Sequence, residues 1–313
     1  MRRNLLLLAI LVLCLTLGGC QEEEDTTLKM AVIPVLDTLP FYVAEQMGYF
    51  ADEGIQVELV PAKSGQERDA LLQAGEVDGM LTDVPGVGIF NRDETQVKIV
   101  AMARKAYPDS PLFRLLSAPG SGIASPADLS GVKIGISQNT VIEYITDCML
   151  EGSGLTADQI AIEEISAIPV RFEQLMAGGV AAATLPDPLA QGAIAAGASL
   201  VVDDSQFSEY SHSVLVMGLD FLKDRPDTVR RFLSAWDKAA AELNANPEAY
   251  SDLMIEKGRV PASIRGSYTM PTFPRGEITS ESQWADIVDW LLEKGLIDSE
   301  IPYEDAVDAS FLK

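Results

Sequence analysis

The sequence predicts an α/β chain built as two lobes, and three observations carry that prediction. Short apolar strand runs alternate with capped helical stretches from Leu28 to about Leu219, an order that builds parallel sheets with helices on both faces. The order runs through twice, the second series opening at Ser125-Pro126-Ala127-Asp128, without a detectable sequence repeat. The chain is 313 residues long and 47% hydrophobic, enough apolar material for more than one core.

The elements follow in order. Residues 28–35 read as a buried strand that leads through Asp37-Thr38-Leu39 into a helix opened by Pro40 and closed near Gly48. Proline suits a first helical turn, where its missing N–H has no partner to lose. Residues 55–60 are the next strand. Ser64-Gly65-Gln66-Glu67 is a capping box whose helix stops at Gly75. Strands are predicted at 79–82, 97–103 and 112–117, with a helix opening at Pro85. The second series has strands at 132–136, 160–165 and 181–185. Its helices are expected at 140–150, from Pro169 to Gly178, and from Pro186 to Gly197. A strand at 214–219 follows. The remainder reads as helix at 226–243, 247–257 and 280–293, and the first of these lines up Val229, Phe232, Trp236 and Leu243 on one face.

The N-terminus points to export. Arg2 and Arg3 precede an apolar run at 5–17 and then Gly18-Gly19-Cys20, the pattern of a secretory signal. Thirteen apolar residues make only ~20 Å of helix, short of a ~30 Å hydrocarbon core. Leu17-Gly18-Gly19-Cys20 also resembles a bacterial lipobox, so residues 1–19 are expected to be removed as a lipoprotein signal peptide. Cys20 would then carry an acyl lipid such as palmitate, and residues 20–27 would form a polar tether. Cys148 is the one thiol left in the folded part and His212 the one histidine, which excludes an internal disulfide and any multi-histidine zinc site. A formal charge of −24 disfavours nucleic acid and anionic headgroups as partners.

Three stretches carry a resemblance. They are Pro40-Phe41-Tyr42-Val43-Ala44 through Gly48-Tyr49-Phe50, Glu53-Gly54-Ile55 and Val57-Glu58; then Asp128-Leu129-Ser130-Gly131-Val132-Lys133-Ile134-Gly135; then Trp290, Gly295-Leu296-Ile297 and Pro302-Tyr303-Glu304-Asp305. In their order and spacing the chain resembles the bacterial solute-binding proteins for nitrate, sulfonates, taurine and thiamine-pyrimidine precursors, which are similar to eukaryotic thiamine-pyrimidine synthases. The resemblance implies a type II-like periplasmic-binding-protein fold with two α/β lobes, two crossover segments and a ligand cleft between the lobes. Lobe one is expected at 28–116 and 213–313, and lobe two at 117–212, with crossovers near 117–123 and 204–213. The implied partners are a small solute and an ABC permease, with the chain a lipid-anchored monomer on the extracytoplasmic side of the cell membrane. No cofactor is implied.

Ligands of open α/β sheets sit at the carboxyl ends of the strands, where loops and helix N-termini converge. Five loops qualify. The first supplies Asp37, Thr38, Pro40, Phe41 and Tyr42, and the second Ser64. The third supplies Thr82 and Asp83, the fourth Ser137, Gln138, Asn139 and Thr140, and the fifth Pro186 and Asp187. Ser137 to Thr140 is the most polar, and it reads equally as a donor cluster and as an N-cap. Each aspartate is also a common cap residue, and each aromatic ring also suits a core. Arg104 and Arg171 are the cations placed to meet an anion. A small dianion would lean on those arginines and helix ends, whereas a neutral or amine-bearing heterocycle would use the three aspartates and an aromatic face. The second reading is the one favoured here, ahead of sulfonate or nitrate.

An enzyme is disfavoured. There is no Gly-x-Ser-x-Gly elbow, no phosphate-binding glycine loop and no metal-ligand cluster in the sequence. Ser130-Gly131-Val132-Lys133 matches Ser-x-x-Lys only formally, because that chemistry needs its serine at a helix start. The synthases that the family resembles use a histidine and a cysteine cluster that this chain lacks. A sensory binding protein serving a membrane receptor is the remaining alternative, and the sequence does not separate it from transport.

Overall fold

The computed structural model describes residues 26–312, so the expected signal peptide, Cys20 and most of the tether lie outside the described residues. Among the described residues no helix is long and apolar enough to cross a membrane.

Two five-stranded sheets organise the chain. The first contains β1 (Thr27–Val32), β2 (Gln56–Pro61), β3 (Gly79–Asp83), β4 (Val97–Lys105) and β10 (His212–Gly218), in the order β2-β1-β3-β10-β4. The second contains β5 (Phe113–Ser117), β6 (Lys133–Ile136), β7 (Ala161–Glu164), β8 (Ala182–Pro186) and β9 (Ser199–Asp203), in the order β7-β6-β8-β5-β9. Central strands such as β1 bury Leu28, Met30, Ala31 and Val32 on both faces, as expected where helices cover a sheet from two sides.

Both sheets are mixed rather than parallel, and the reason is topological. β10 runs antiparallel to β3 and β4, and β5 runs antiparallel to β8 and β9. Each is the strand by which the chain arrives from the other lobe. It enters its sheet at the cleft and therefore points away from it, opposite to its neighbours. The pairing of β5 moves the first crossover from the expected 117–123 to the segment 106–112, because 113–117 belongs to the second sheet. The second segment between the sheets spans 204–211. β9 was not anticipated from the sequence. Pro186 ends β8 instead of opening a helix; the next helix starts at Leu189, after a cis Asp187-Pro188 bond.

The C-terminal helices complete the first lobe. Pro226–Ala245 presses Phe232, Trp236 and Leu243 onto Leu39–Gln46 and one face of the sheet, while Glu281–Glu293 covers the other with Trp284, Ile287 and Leu291. Gly88 permits the second docking, since a Cβ there would stand 2.3 Å from Leu291 Cδ1.

The lobes also touch beyond the cleft. Beside the second crossover, Tyr144 of the lobe-two helix Val141–Gly152 packs edge-on to Trp290 (5.4 Å) and Tyr210 (6.1 Å). There Trp290 Nε1 donates to Asp147, and the Lys294 ammonium lies 2.8 Å from Asp147 and 3.1 Å from Glu143. Elsewhere the lobe-two helix Leu189–Ala195 abuts the short helix Ala262–Ile264. Gly192 is the contact point, where a Cβ would lie 2.7 Å from Pro261 Cγ.

Candidate functional site

The carboxyl ends of β1, β2, β3 and β4 face those of β6, β7 and β8 across a cavity of about 460 Å3. The first residues of the arriving strands, Phe113 on β5 and His212 and Ser213 on β10, lie in the same wall. Such a volume suits a small organic molecule. The exposed surface of the lining is mostly apolar, with Ile33, Val35, Leu81, Ile142, Ile168 and Leu189 among its aliphatic residues, and the Phe113 ring and the His212 imidazole are its aromatic groups.

Of the residues singled out in the sequence, nine line this cavity: Asp37, Ser64, Thr82, Asp83, Arg104, Ser137, Thr140, Pro186 and Asp187. Seven do not. Thr38 is buried with its hydroxyl donating to the Val35 carbonyl at 2.7 Å. Pro40 is buried in the helix that follows. Phe41 sits in the core against Trp236 (4.7 Å) and Phe232 (5.8 Å), and Tyr42 faces outward beneath the Lys257 ammonium. Gln138 and Asn139 are exposed; Asn139 holds φ at +59° while its amide donates to Glu143. Arg171 is fully buried behind the loop, donating to Ser137 Oγ (2.8 Å) and the Ile165 carbonyl (2.7 Å). Burial lowers its pKa to about 10, with Glu164 pulling it back.

The three aspartates are all engaged by the protein. Asp37 accepts from Arg104 Nη1 at 3.1 Å and from Ser213 Oγ at 2.7 Å. Asp187 is gripped in bidentate fashion by Arg114, with Nε and Nη2 each at 3.0 Å, and also accepts from Gln191. Asp83 caps the helix Val84–Phe90 by accepting the Gly86 amide at 2.9 Å. Burial raises the Asp83 carboxyl, while Arg68, the Gly86 amide and the lobe-two Val141 amide draw it back. Burial also works against the charge of Arg104, but Asp37, Tyr268 and, from the opposite lobe, Asp187 outweigh it and raise its pKa. Asp37 and Asp187 are thus neutralised from within, Asp83 is engaged by a backbone amide, and Lys63, Arg68 and Arg259 add cationic character.

His212 and Ser213 escaped the sequence reading because a strand's first residue was not expected at the cleft. His212 Nε2 pairs with Thr279 Oγ1 at 3.0 Å, and burial, with Lys105 nearby, lowers its pKa to about 4 and keeps it neutral. Arg259 comes from a C-terminal turn with φ +54°, which no local motif announced. Among the described residues no group of three or more His, Cys, Asp or Glu side chains could hold a metal ion.

Two α/β lobes with a ligand-sized cavity between them define the class of two-lobed periplasmic binding proteins. The chain matches the family model described as NMT1/THI5 like over residues 36–250, and it belongs to that family. It is similar to the formylaminopyrimidine-binding protein of Halalkalibacterium halodurans, at 27% identity over 168 residues; this match spans 51% of the chain and 49%, about half, of that relative. It is similar over its whole length to a putative aliphatic sulfonates-binding protein of Bacillus subtilis, at 24% identity and 96% of that protein. Its fold matches the alkanesulfonate-binding protein SsuA from Xanthomonas axonopodis pv. citri bound to MOPS, with a TM-score of 0.75 at 15% identity, covering 91% of this chain and 99% of that one. These proteins are described by what they bind, not by a reaction.

Proposed function

We propose that the chain is the extracytoplasmic substrate-binding protein of an ABC importer, and that it captures a small organic solute between its lobes. The observation that carries this reading is the cavity itself, which is mostly apolar and bounded by strand ends from both lobes. A solute touching both walls favours the closed arrangement because only there does it meet both. Relatives described as binding a formylaminopyrimidine and aliphatic sulfonates support a solute of this size. The internal pairing of Asp37 and Asp187 and the scarcity of aromatic lining remove the main argument for an aspartate-and-ring pocket. They favour a solute with an apolar body and an acidic or hydrogen-bond-accepting end over one bearing an amine. A heterocycle fits if it presents acceptors. Lipid attachment at Cys20, after removal of residues 1–19, would keep the protein at the membrane beside its permease.

A thermal-shift screen tests this, with pyrimidines, flavins, aryl carboxylates, alkanesulfonates, nitrate and amines, alongside native mass spectrometry for solute retained through purification. A solute at one hundred times its dissociation constant adds ~2.7 kcal/mol, which shifts a melting point by several degrees. Stabilisation by acid- or acceptor-bearing organic solutes is expected. If no compound stabilises the protein and none co-purifies, the solute-capture reading fails. Mass analysis of the mature N-terminal peptide tests the anchor, and an unacylated Cys20 would exclude it.

A further inference from the structure

Arg114 does not line the cavity, yet it commands a residue that does. It sits on β5, in register with Leu185 of β8 and Asp203 of β9. From there its guanidinium closes two parallel bonds of 3.0 Å on Asp187 and a third of 3.3 Å on Asp203. Asp187 is nearly buried, and its remaining bond comes from Gln191. Bidentate guanidinium–carboxylate pairing fixes orientation as well as charge. Across the cleft Arg104 pairs with Asp37 through a single bond of 3.1 Å from Nη1, and Tyr268, a largely buried ring, stands within the fields of Arg104, Asp187 and Arg114.

We infer that Arg114 is the positioning residue that sets the charge class of the solute: by neutralising Asp187 it excludes ammonium-bearing molecules from the cleft. The inference rests on the solute-capture reading above. Without Arg114 the Asp187 carboxylate would face a cavity walled by Pro186, Leu189 and Phe113, and Asp203 would lose its cation as well. A buried carboxylate with an adjoining space of guanidinium size attracts a cation, and an alkylammonium would place its apolar body against the aliphatic wall.

The test uses butylammonium and butanesulfonate, which share one apolar body and carry opposite charges. Titration calorimetry is run on the wild type, Arg114→Gln, Arg114→Lys and the double variant Arg114→Gln/Asp187→Asn, each checked for folding by circular dichroism. The wild type should show no saturable binding of butylammonium, and Arg114→Gln should gain it, with the preference between the two probes moving at least tenfold toward the amine. Arg114→Lys should keep the exclusion, and the double variant should lose the gain. A purely structural role for Arg114 would weaken both probes together and leave their ratio alone. A folded Arg114→Gln that gains nothing for butylammonium overturns the inference, as does a gain that survives in the double variant. Should Arg114→Gln fail to fold, the wild type still decides, because saturable butylammonium binding to it would reveal an available carboxylate. The gain depends only on the cleft and Asp187, so it is read even if every solute in the screen fails, and the two readings fail separately.

Discussion

Asp204 links the two crossover segments. It accepts the amides of Leu112 and Phe113 at 2.9 and 3.0 Å from one side and the Ser211 hydroxyl from the other. Burial raises its pKa from 3.8 to about 6, against three hydrogen bonds that favour the anion, and Asp203 adds to the rise. The folded chain therefore holds this proton more tightly than the unfolded one. The stability it contributes is complete below the unfolded value of 3.8 and is lost as pH rises through about 6. The gap corresponds to about 3 kcal/mol. Asp204→Asn keeps the shape and removes the titration. His212 acts in the opposite direction, because burial lowers it from 6.5 to about 4, so its contribution is present above 6.5 and lost as pH falls through about 4. The two effects overlap and flatten the wild-type profile, so the difference between wild type and variant is the quantity to read. Urea unfolding of both proteins should show Asp204→Asn gaining about 3 kcal/mol on the wild type between about pH 4 and about pH 7. A difference that stays constant over that range would mean that Asp204 is ionised throughout, and the reasoning would be refuted.

Three further outcomes are expected. Gly192→Val should hold the lobes apart at Pro261, seen as a larger radius of gyration in small-angle scattering of the ligand-free protein; an unchanged profile would show that this contact does not limit closure. Phe41→Ala should cost about 3 to 5 kcal/mol in urea unfolding through loss of its packing on Phe232 and Trp236. Solute affinity of the folded fraction should stay the same, and a selective loss of affinity would return Phe41 to the site. Trp290→Phe should cost about 1 to 2 kcal/mol by removing the buried bond to Asp147, and a neutral result would show that Lys294 alone satisfies that carboxylate.

The local grammar of the chain was readable wherever the signal and the structure it produces lie close together. Ser64 accepts the Glu67 amide as its motif requires, although Glu67 reaches back to the Lys63 amide instead of that of Ser64. Ser280 and Ser125 open capping boxes at the places where helical turns were expected to begin. The strand at 112–117 was equally plain, but not its sheet: an apolar run reads the same whichever neighbours it pairs with, and only the long-range ladder to β8 and β9 decides its membership. Direction follows from membership, so the cleft-facing role of His212 and Ser213 stayed hidden with it.

The same distinction governs the charge of the cleft. Asp37, Asp83 and Asp187 stand out in the sequence as carboxylates after strands, which suggests an acidic pocket in an already acidic protein. What neutralises two of them lies 67 residues away at Arg104 and 73 residues away at Arg114, and no spacing rule connects such positions. A carboxylate in a ligand cleft has a meaning only together with its partner: unpaired it selects cations, and gripped by a guanidinium it becomes part of a neutral wall. In this fold the partner arrives on another strand of the same sheet, β4 for Asp37 and the crossing strand β5 for Asp187. On the inference drawn for Arg114, solute charge is set by the pairing of strands, and Arg114, which an inspection of the cavity wall alone would pass over, is where a single substitution would alter it.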